Sequence, residues 1–366
     1  MKIKVTQEKL SKALNNVSRI AIGKVTLPIL NNVLIRVDNK KVSLVTTNLD
    51  MAIVDFLPVS NSEDGVVTVP AKLLAEFVSN LPKGETIEIT SDDTKITITA
   101  GKYSSTINGA LADDFPELPE INEKKAVIYK IGVDEFKVGV GQVIIASSND
   151  LARPALTGVL FNTIDNTLAI AATDGYRLAE KKLIDNVESE VKAIVPSSSL
   201  QEVLRSIGDD VEEVEISFDD DLVRFRLGEV EIISKLIDAS YPDYRQLMPK
   251  DSNIHITLNR DELMRVAKLA ALFARSSGGS IICGTKAPNT FYVKSVANEF
   301  GENDSEIEVP VEIEGKINVN SRFLMDAINS MDEKEIVFNF SDRPAPALLS
   351  NKKNNKYTHV VMPLNI

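Results

Sequence analysis

The stretch AATDGYRLAE, Ala171 to Glu180, sets an aspartate, a tyrosine and an arginine on what reads as a tight turn between two apolar runs. Such a trio fits an acid, a nucleophile and an anion clamp, or a hairpin whose flanks happen to be polar. Asp-Gly is a strong hairpin signal and favours the second reading for Asp174 and Gly175. The decisive observation lies elsewhere in the chain. TTNLD, Thr46 to Asp50, also follows an alternating strand, and Thr47 and Thr173 are 126 positions apart. Other anchors keep that offset: Val69 and Pro70 match Val195 and Pro196, Pro28 and Leu30 match Pro154 and Leu156, and Phe115-Pro116 matches Tyr241-Pro242. A shared offset at separated anchors marks a duplicated unit.

A fainter third copy follows. Asp134-Glu135-Phe136 recurs as Asp261-Glu262-Leu263, and AIVPSSSL at Ala193 recurs as INVNSRFL at Ile317. Three domains are expected, over 1–125, 126–250 and 251–366, with the short polar, Pro-bearing segments ELPEINEKK and MPKDSN near the boundaries. In each copy a short strand leads into an amphipathic helix with an acidic residue in its first turn. Alternating strands follow, such as NNVLIRVDNKKVSLVTT with DNKK as its turn, then a second helix after the VP element and further strands. The serines of SSSLQEVLRSI are fit to cap the second helix. DDD in EVEISFDDDLVRFRL reads as a hairpin tip, with a metal site as the weaker alternative. The fold class is α+β, two helices and about eight strands per copy.

Composition narrows the chemistry. The chain has 366 residues, 43% of them hydrophobic, and no tryptophan, so the cores are built from Ile, Val and Leu. The start MKIKVTQEKL lacks an apolar h-region, no apolar run approaches the roughly 18 residues of a membrane helix, and a soluble, cytoplasmic protein is expected. Cys283 is the only cysteine, and His255 and His359 are the only histidines. A disulfide framework is thereby excluded, a thiolate or histidine-rich metal site disfavoured, and a Ser-His-Asp triad barely possible. A hydrolase using Asp113, Asp114 and Asp174 with a hard metal ion has no phosphate loop or nucleophile elbow behind it. An extracellular repeat adhesin is disfavoured by the polar N-terminal stretch and the lone cysteine.

The formal net charge of −12 argues by itself against nucleic acid, but its distribution is uneven. The six expected helices are Thr6 to Arg19, Ala71 to Leu81, Asp134 to Ala146, Ser197 to Ile207, Arg260 to Arg275 and Ser321 to Ile328. They carry eleven basic and eight acidic side chains, so the excess of acid lies outside them. That split fits one face that tolerates anions; it fits equally the helix-forming tendency of Lys and Arg.

These repeats, together with TLPIL at Thr26, VPAK at Val69, ADDFPELP at Ala112, ATDGYRLA at Ala172, IVPSSSL at Ile194, YPDYRQLMP at Tyr241 and YTHVVMPL at Tyr357, closely resemble the bacterial replicative DNA polymerase sliding clamp family, the polymerase beta subunit. The resemblance spans the whole chain and rests on the joint order of the motifs. It implies three clamp domains per chain, two helices packed on antiparallel sheets in each, and a head-to-tail dimeric ring. Such a ring encircles duplex DNA without reading its sequence, is non-catalytic, and needs no cofactor or metal. The implied partners are a second copy of the chain, the replicative polymerase catalytic subunit, the clamp loader, and other polymerases, mismatch-repair proteins and ligase through short linear motifs. The implied location is cytoplasmic and nucleoid-associated, without membrane contact.

The resemblance also assigns residues. The motif-binding pocket maps to Leu156, Thr173, Gly175, Tyr176, Arg177, Leu178, Pro242, Arg245, Leu247, Val360, Val361, Met362, Pro363 and Leu364. Such leucines, valines and methionines make an adaptable apolar wall. Removing His359 to Ile366 is accordingly expected to abolish partner binding and leave the dimer largely intact. Candidate phosphate contacts are Lys24, Lys72, Arg153, Arg205, Arg265, Lys268, Arg275 and Arg322, each also readable as a solvated surface charge. Ser197 and Ser198 begin a hole-facing helix where many relatives carry basic residues. The dimer interface maps to Leu272 and Phe273, and to Glu299, Glu302, Asp304 and Glu306 opposite Lys72 and Lys102. For Leu272 and Phe273 the competing reading is burial in the monomer core.

Overall fold

The computed structural model describes residues 1–21, 27–38, 41–59, 61–249, 252–297 and 301–364. Lys24, Glu299, the middle of the DNKK turn and residues 250–251 of the second boundary lie outside the described residues.

The first copy runs β1 (Lys2–Thr6), α1 (Gln7–Val17), β2 (Asn32–Asp38), β3 (Lys41–Thr47), β4 (Met51–Leu57), β5 (Asn61–Glu63), β6 (Gly65–Pro70), α2 (Ala71–Ser79), β7 (Thr86–Asp92), β8 (Lys95–Ala100) and β9 (Tyr103–Asn108). The second runs β10 (Val127–Gly132), α3 (Val133–Ile144), β11 (Gly158–Ile164), β12 (Thr167–Thr173), β13 (Arg177–Asp185), β14 (Lys192–Pro196), α4 (Ser197–Ser206), β15 (Glu213–Phe218), β16 (Leu222–Leu227) and β17 (Val230–Lys235). The third runs β18 (Ile254–Asn259), α5 (Arg260–Ala274), β19 (Ser280–Lys286), β20 (Thr290–Ala297), β21 (Gly301–Glu308), β22 (Gly315–Asn320), α6 (Ser321–Asn329), β23 (Glu335–Phe340), β24 (Ala347–Asn351) and β25 (Tyr357–Val361).

The helices follow from spacing and end groups. Leu10, Ala13, Leu14 and Val17 share the buried face of α1, which packs on α2 and on β3 and β4. Fully burying a leucine such as Leu10 or Leu14 stabilises the fold by about 2 kcal/mol. Asn259 and Asn320 cap α5 and α6 by accepting backbone N–H bonds. Ser197, one of the serines expected to cap α4, does not do so. Ser197 is the first helical residue and follows Pro196, and its buried Oγ has no hydrogen-bond partner.

Among the described residues every strand pairing is antiparallel, and the sheets run across copies. One has the order β10-β15-β16-β17-β4-β3-β2-β6; another has β14-β11-β12-β13-β25-β24-β23-β18. The chain consequently forms two compact units that cut through the second copy: Met1–Val133 with Gln201–Leu236, and Asp134–Leu200 with Ile237–Ile366. The inner strands lose the alternating pattern. β4 is buried at six of its seven positions, Asp55 included, because it has a strand on each side and cover on each face. The two remaining sheets, β5-β1-β7-β8-β9 and β21-β20-β19-β22, end on β9 and β21.

The Thr173–Arg177 turn repeats the backbone-directed bonds of the Thr47–Met51 turn. Thr173 Oγ1 donates to the Arg177 carbonyl at 2.6 Å, as Thr47 Oγ1 does to that of Met51 at 2.9 Å. Asp174 Oδ1 accepts from the N–H groups of Tyr176 and Arg177, as Asn48 Oδ1 does from those of Asp50 and Met51. Position two of each turn is left-handed: Gly175 at φ 91° and Leu49 at φ 78°. The neighbouring strand docks identically, Met362 N–H on the Tyr176 carbonyl and Lys235 N–H on that of Asp50, both at 2.9 Å. DDD is likewise a turn, since Asp219 Oδ1 accepts from the N–H groups of Asp221 and Leu222.

Candidate functional site

β12 and β13 deliver the Thr173–Arg177 turn to one side of a cleft of about 180 Å³, lined by Thr173, Gly175, Arg177, Leu178, Leu247, Val360 and Met362. Its floor is one apolar cluster in which Leu156, Leu160, Leu178, Tyr241, Tyr244 and Val360 pack together, with Met248 against them. β25 supplies the far wall: Leu178 pairs with Val360 and Arg177 with Val361. Past β25 the chain remains tied, because Leu364 N–H donates to the Asn318 carbonyl at 2.9 Å. Pro363 and Leu364 are half-buried, and Pro242 and Arg245 are exposed.

Buried polar groups fix the cleft's shape. The Arg177 guanidinium, 8% exposed, is held by Asp174 at 3.1 Å and by Asp326 of α6, and lies 4.7 Å from the Phe323 ring centre. Tyr176, 59% exposed, stacks on the same Phe323. The Tyr241 hydroxyl accepts from Thr173 N–H at 3.1 Å, and the Tyr244 hydroxyl donates to Glu180, which also meets Arg245 at 3.5 Å. Burial pushes both tyrosine hydroxyls well above their usual range, so both stay neutral, Tyr241 as the acceptor for Thr173 and Tyr244 as the donor to Glu180. On β25, Tyr357 donates to the Gln142 carbonyl at 3.1 Å and lies 2.7 Å from His359 Nδ1. A single tyrosine proton then leaves His359 Nδ1 as the donor. Burial lowers the His359 pKa to about 3.

Sequence reasoning missed Tyr241, Tyr244, Glu180, Phe323 and Asp326 at this site. No local pattern ties Phe323 and Asp326 to a turn some 150 residues earlier; the one clue was a lone arginine opening an apolar strand, which needs a carboxylate if buried.

The other assignments divide. Arg265, Lys268, Arg275 and Arg322 are exposed on or beside α5 and α6, and no ion pair holds them among the described residues. Lys72 lies 4.0 Å from Glu76 and Arg205 pairs with Glu202. Arg153 pairs with Asp150 at 3.0 Å and borders the cleft: a Cβ on Gly175 would come within 3.4 Å of its guanidinium. Leu272 is 55% exposed and Phe273 half-buried, so Leu272 is not a core residue of the single chain. Lys102 and Glu302 are exposed, Asp304 pairs with Lys294, and Glu306 pairs with Lys286 at 3.4 Å. Asp113 and Asp114 are exposed on a short 3-10 turn, and both Asp174 oxygens are used within its own hairpin. Among the described residues no group of histidine, cysteine and carboxylates could hold a metal ion. Desolvation pushes the buried Cys283 thiol up to about 12, which keeps it unreactive. Among the described residues no helix is long and apolar enough to cross a membrane.

Profiles of the N-terminal, central and C-terminal domains of the DNA polymerase III beta subunit match residues 1–119, 130–243 and 245–365. The beta sliding clamp of Staphylococcus epidermidis is 28% identical over 376 aligned positions, covering all of this chain and 99% of that one. A sliding clamp from Pseudomonas aeruginosa, solved with griselimycin bound, is 26% identical with a TM-score of 0.94, both chains covered in full. The sliding clamp of Bacillus subtilis is 27% identical with a TM-score of 0.94, covering all of this chain and 99% of that one. With three domain profiles in order along the chain and whole-length likeness in sequence and fold, the chain belongs to the bacterial DNA polymerase III beta subunit family, the sliding clamps.

Proposed function

We propose that two copies of this chain close head to tail into a ring around duplex DNA, and that the Thr173–Arg177 cleft captures short motifs of the proteins the ring tethers. As a sliding clamp the chain is a processivity factor and not an enzyme.

The observation that carries ring closure is strand order. β4 takes β17, the last strand of the next copy, on its outer edge, and β13 takes β25 in the same way. β21 occupies the corresponding place in the third copy, and among the described residues no strand pairs with its outer edge or with that of β9, the last strand of the first. A second chain can complete the series by laying its β9 on β21, which removes two open sheet edges. Carrying the internal register across sets Gly301 opposite Ile107 of the second copy, Asp304 opposite Ser104 and Glu306 opposite Lys102. The last pairing mirrors Phe56 N–H on the Glu229 carbonyl and Lys182 N–H on that of Lys356.

A contact-based DNA binder loses affinity steeply with salt, because counterion release drives it. A closed ring is retained by topology, so few free cations suffice, and Arg265, Lys268, Arg275 and Arg322 are the best placed for weak phosphate contact. The cleft suits an extended peptide: Leu178, Leu247, Val360 and Met362 offer apolar area, while Arg245 and Arg153 at its exposed rim favour a motif carrying acid. The replicative polymerase catalytic subunit and the clamp loader are the expected bearers of such motifs.

The test compares retention on closed circular and linear DNA at high salt after loading. Retention on the circle and escape from linear ends is expected; equal loss from both would refute encirclement.

A further inference from the structure

A second cleft, of about 690 Å³, opens in the unit that contains the first copy. Lys9, Lys12 and Asn16 of α1 line one wall, Asp55 to Pro58 form its floor, and the 206–211 segment and the tip of the β16–β17 hairpin close the rest. Asp55 is only 5% exposed. Asn16 Nδ2 donates to its Oδ2 at 2.9 Å; among the described residues, nothing donates to Oδ1 and no cation pairs with the carboxylate. The nearby cations are engaged elsewhere, Lys12 with Asp210 at 3.0 Å and Arg19 with Glu202 at 2.9 Å. Burial raises the Asp55 carboxyl to about 6 and the like charge of Glu229 adds to the rise, outweighing the Asn16 bond and the more distant pull of Lys12 and Arg19; Lys9 is exposed at the rim.

The second copy shows what this position looks like when answered. Gln142 stands there for Asn16, Lys181 for Asp55 and Asp332 for Gly208. Lys181, 6% exposed, is faced by Asp332 and Glu135, and Gln142 donates to Asp332 at 2.9 Å. In the first copy the ion has the opposite sign, Lys9 replaces Glu135, and Gly208 offers no side chain. A cleft of about 720 Å³ opens at the corresponding place of the second copy as well, but Asp332 lines it and faces the buried lysine, whereas Gly208 offers the buried acid of the first copy no counter-charge.

We propose that the Asp55 cleft is a binding site for an amphipathic organic cation, whose ammonium or amidinium head meets Asp55 Oδ1 with Glu229 as second acceptor. Its body lies on Leu57, Pro58 and Leu227, which line the same space. A hard divalent ion would need more oxygen ligands than these two carboxylates offer.

Benzamidine and its neutral counterpart benzamide are the probes, titrated into the full-length protein by calorimetry and ligand-observed NMR. Benzamidine is expected to bind at least tenfold tighter than benzamide at pH 7.5. That preference collapses at pH 5.0, where Asp55 carries a proton, and is lost at pH 7.5 in Asp55→Asn. The pH comparison uses the wild-type chain and does not depend on a variant folding. Equal affinities for the two probes, a preference unchanged at pH 5.0, or one retained in Asp55→Asn would overturn the proposal.

Discussion

Arg177 shows how one side chain joins a turn to a helix. It ties Asp174 of its own hairpin to Asp326 of α6 over the face of Phe323. The first copy manages the same turn with Met51, so Arg177→Met is a natural probe. It leaves two partly buried carboxylates unpaired and is expected to cost about 2 kcal/mol in urea unfolding and to weaken peptide capture. Arg177→Lys should restore little, because an ammonium cannot fork to both acids. Unchanged stability in Arg177→Met would remove the clamp from the account.

Two buried groups set opposite pH dependences. His359 is held neutral with a pKa of about 3, below its unfolded value near 6.5, so its stabilising share is present above pH 6.5 and fades as pH falls towards 3. Asp55 is raised to about 6 from 3.8, so the fold favours its protonated form, and that advantage is full below pH 3.8 and gone above 6. Asp55→Asn is therefore expected to stabilise the chain at pH 7.5 by at most about 3 kcal/mol, the gain shrinking as pH falls towards 4. Denaturation at several pH values checks this; a gain independent of pH would contradict it.

At the scale of elements, β25 alters the expectation for the C-terminus. It lies between β13 and β24 inside an eight-stranded sheet, with His359, Val360 and Val361 buried. Removing His359 to Ile366 would halve an interior strand, so loss of binding would report loss of fold. Removal of Pro363 to Ile366 is the informative cut, expected to weaken peptide binding and leave the unfolding midpoint nearly unchanged. Charge is also an element property. Arg265, Lys268, Arg275 and Arg322 have no carboxylate holding them among the described residues, whereas Arg205 is engaged with Glu202. Replacing the four by alanine removes eight cations from a two-copy ring and should flatten the salt dependence of DNA binding by a slope of up to about 7, and Arg205→Ala much less. Equal effects would count against the assignment.

At the scale of the whole molecule, the outer edges of β9 and β21 make the interface a register problem. If Lys102 meets Glu306 of a second copy, Lys102→Glu and Glu306→Lys each weaken the dimer, and the pair together restores part of the loss. Sedimentation at micromolar concentration measures this. Additive losses in the double variant would mean that the register transferred from the internal junctions is wrong, although closure by another register would remain open to the circular-DNA test.

The sequence by itself determined the repeat, the six helices, the two turns and the family resemblance, because each is written in local spacing: a 126-residue offset, apolar residues at helical period, Thr-Asp-Gly against Thr-Asn-Leu. Tertiary structure alone decided that sheets run from one copy into the next, that Arg177 reaches Phe323 and Asp326, that Arg153 borders the cleft, and that Asp55 is buried without a cation. Those facts depend on which side chains long-range strand pairing brings together, and a one-dimensional pattern carries no record of partners a hundred residues away.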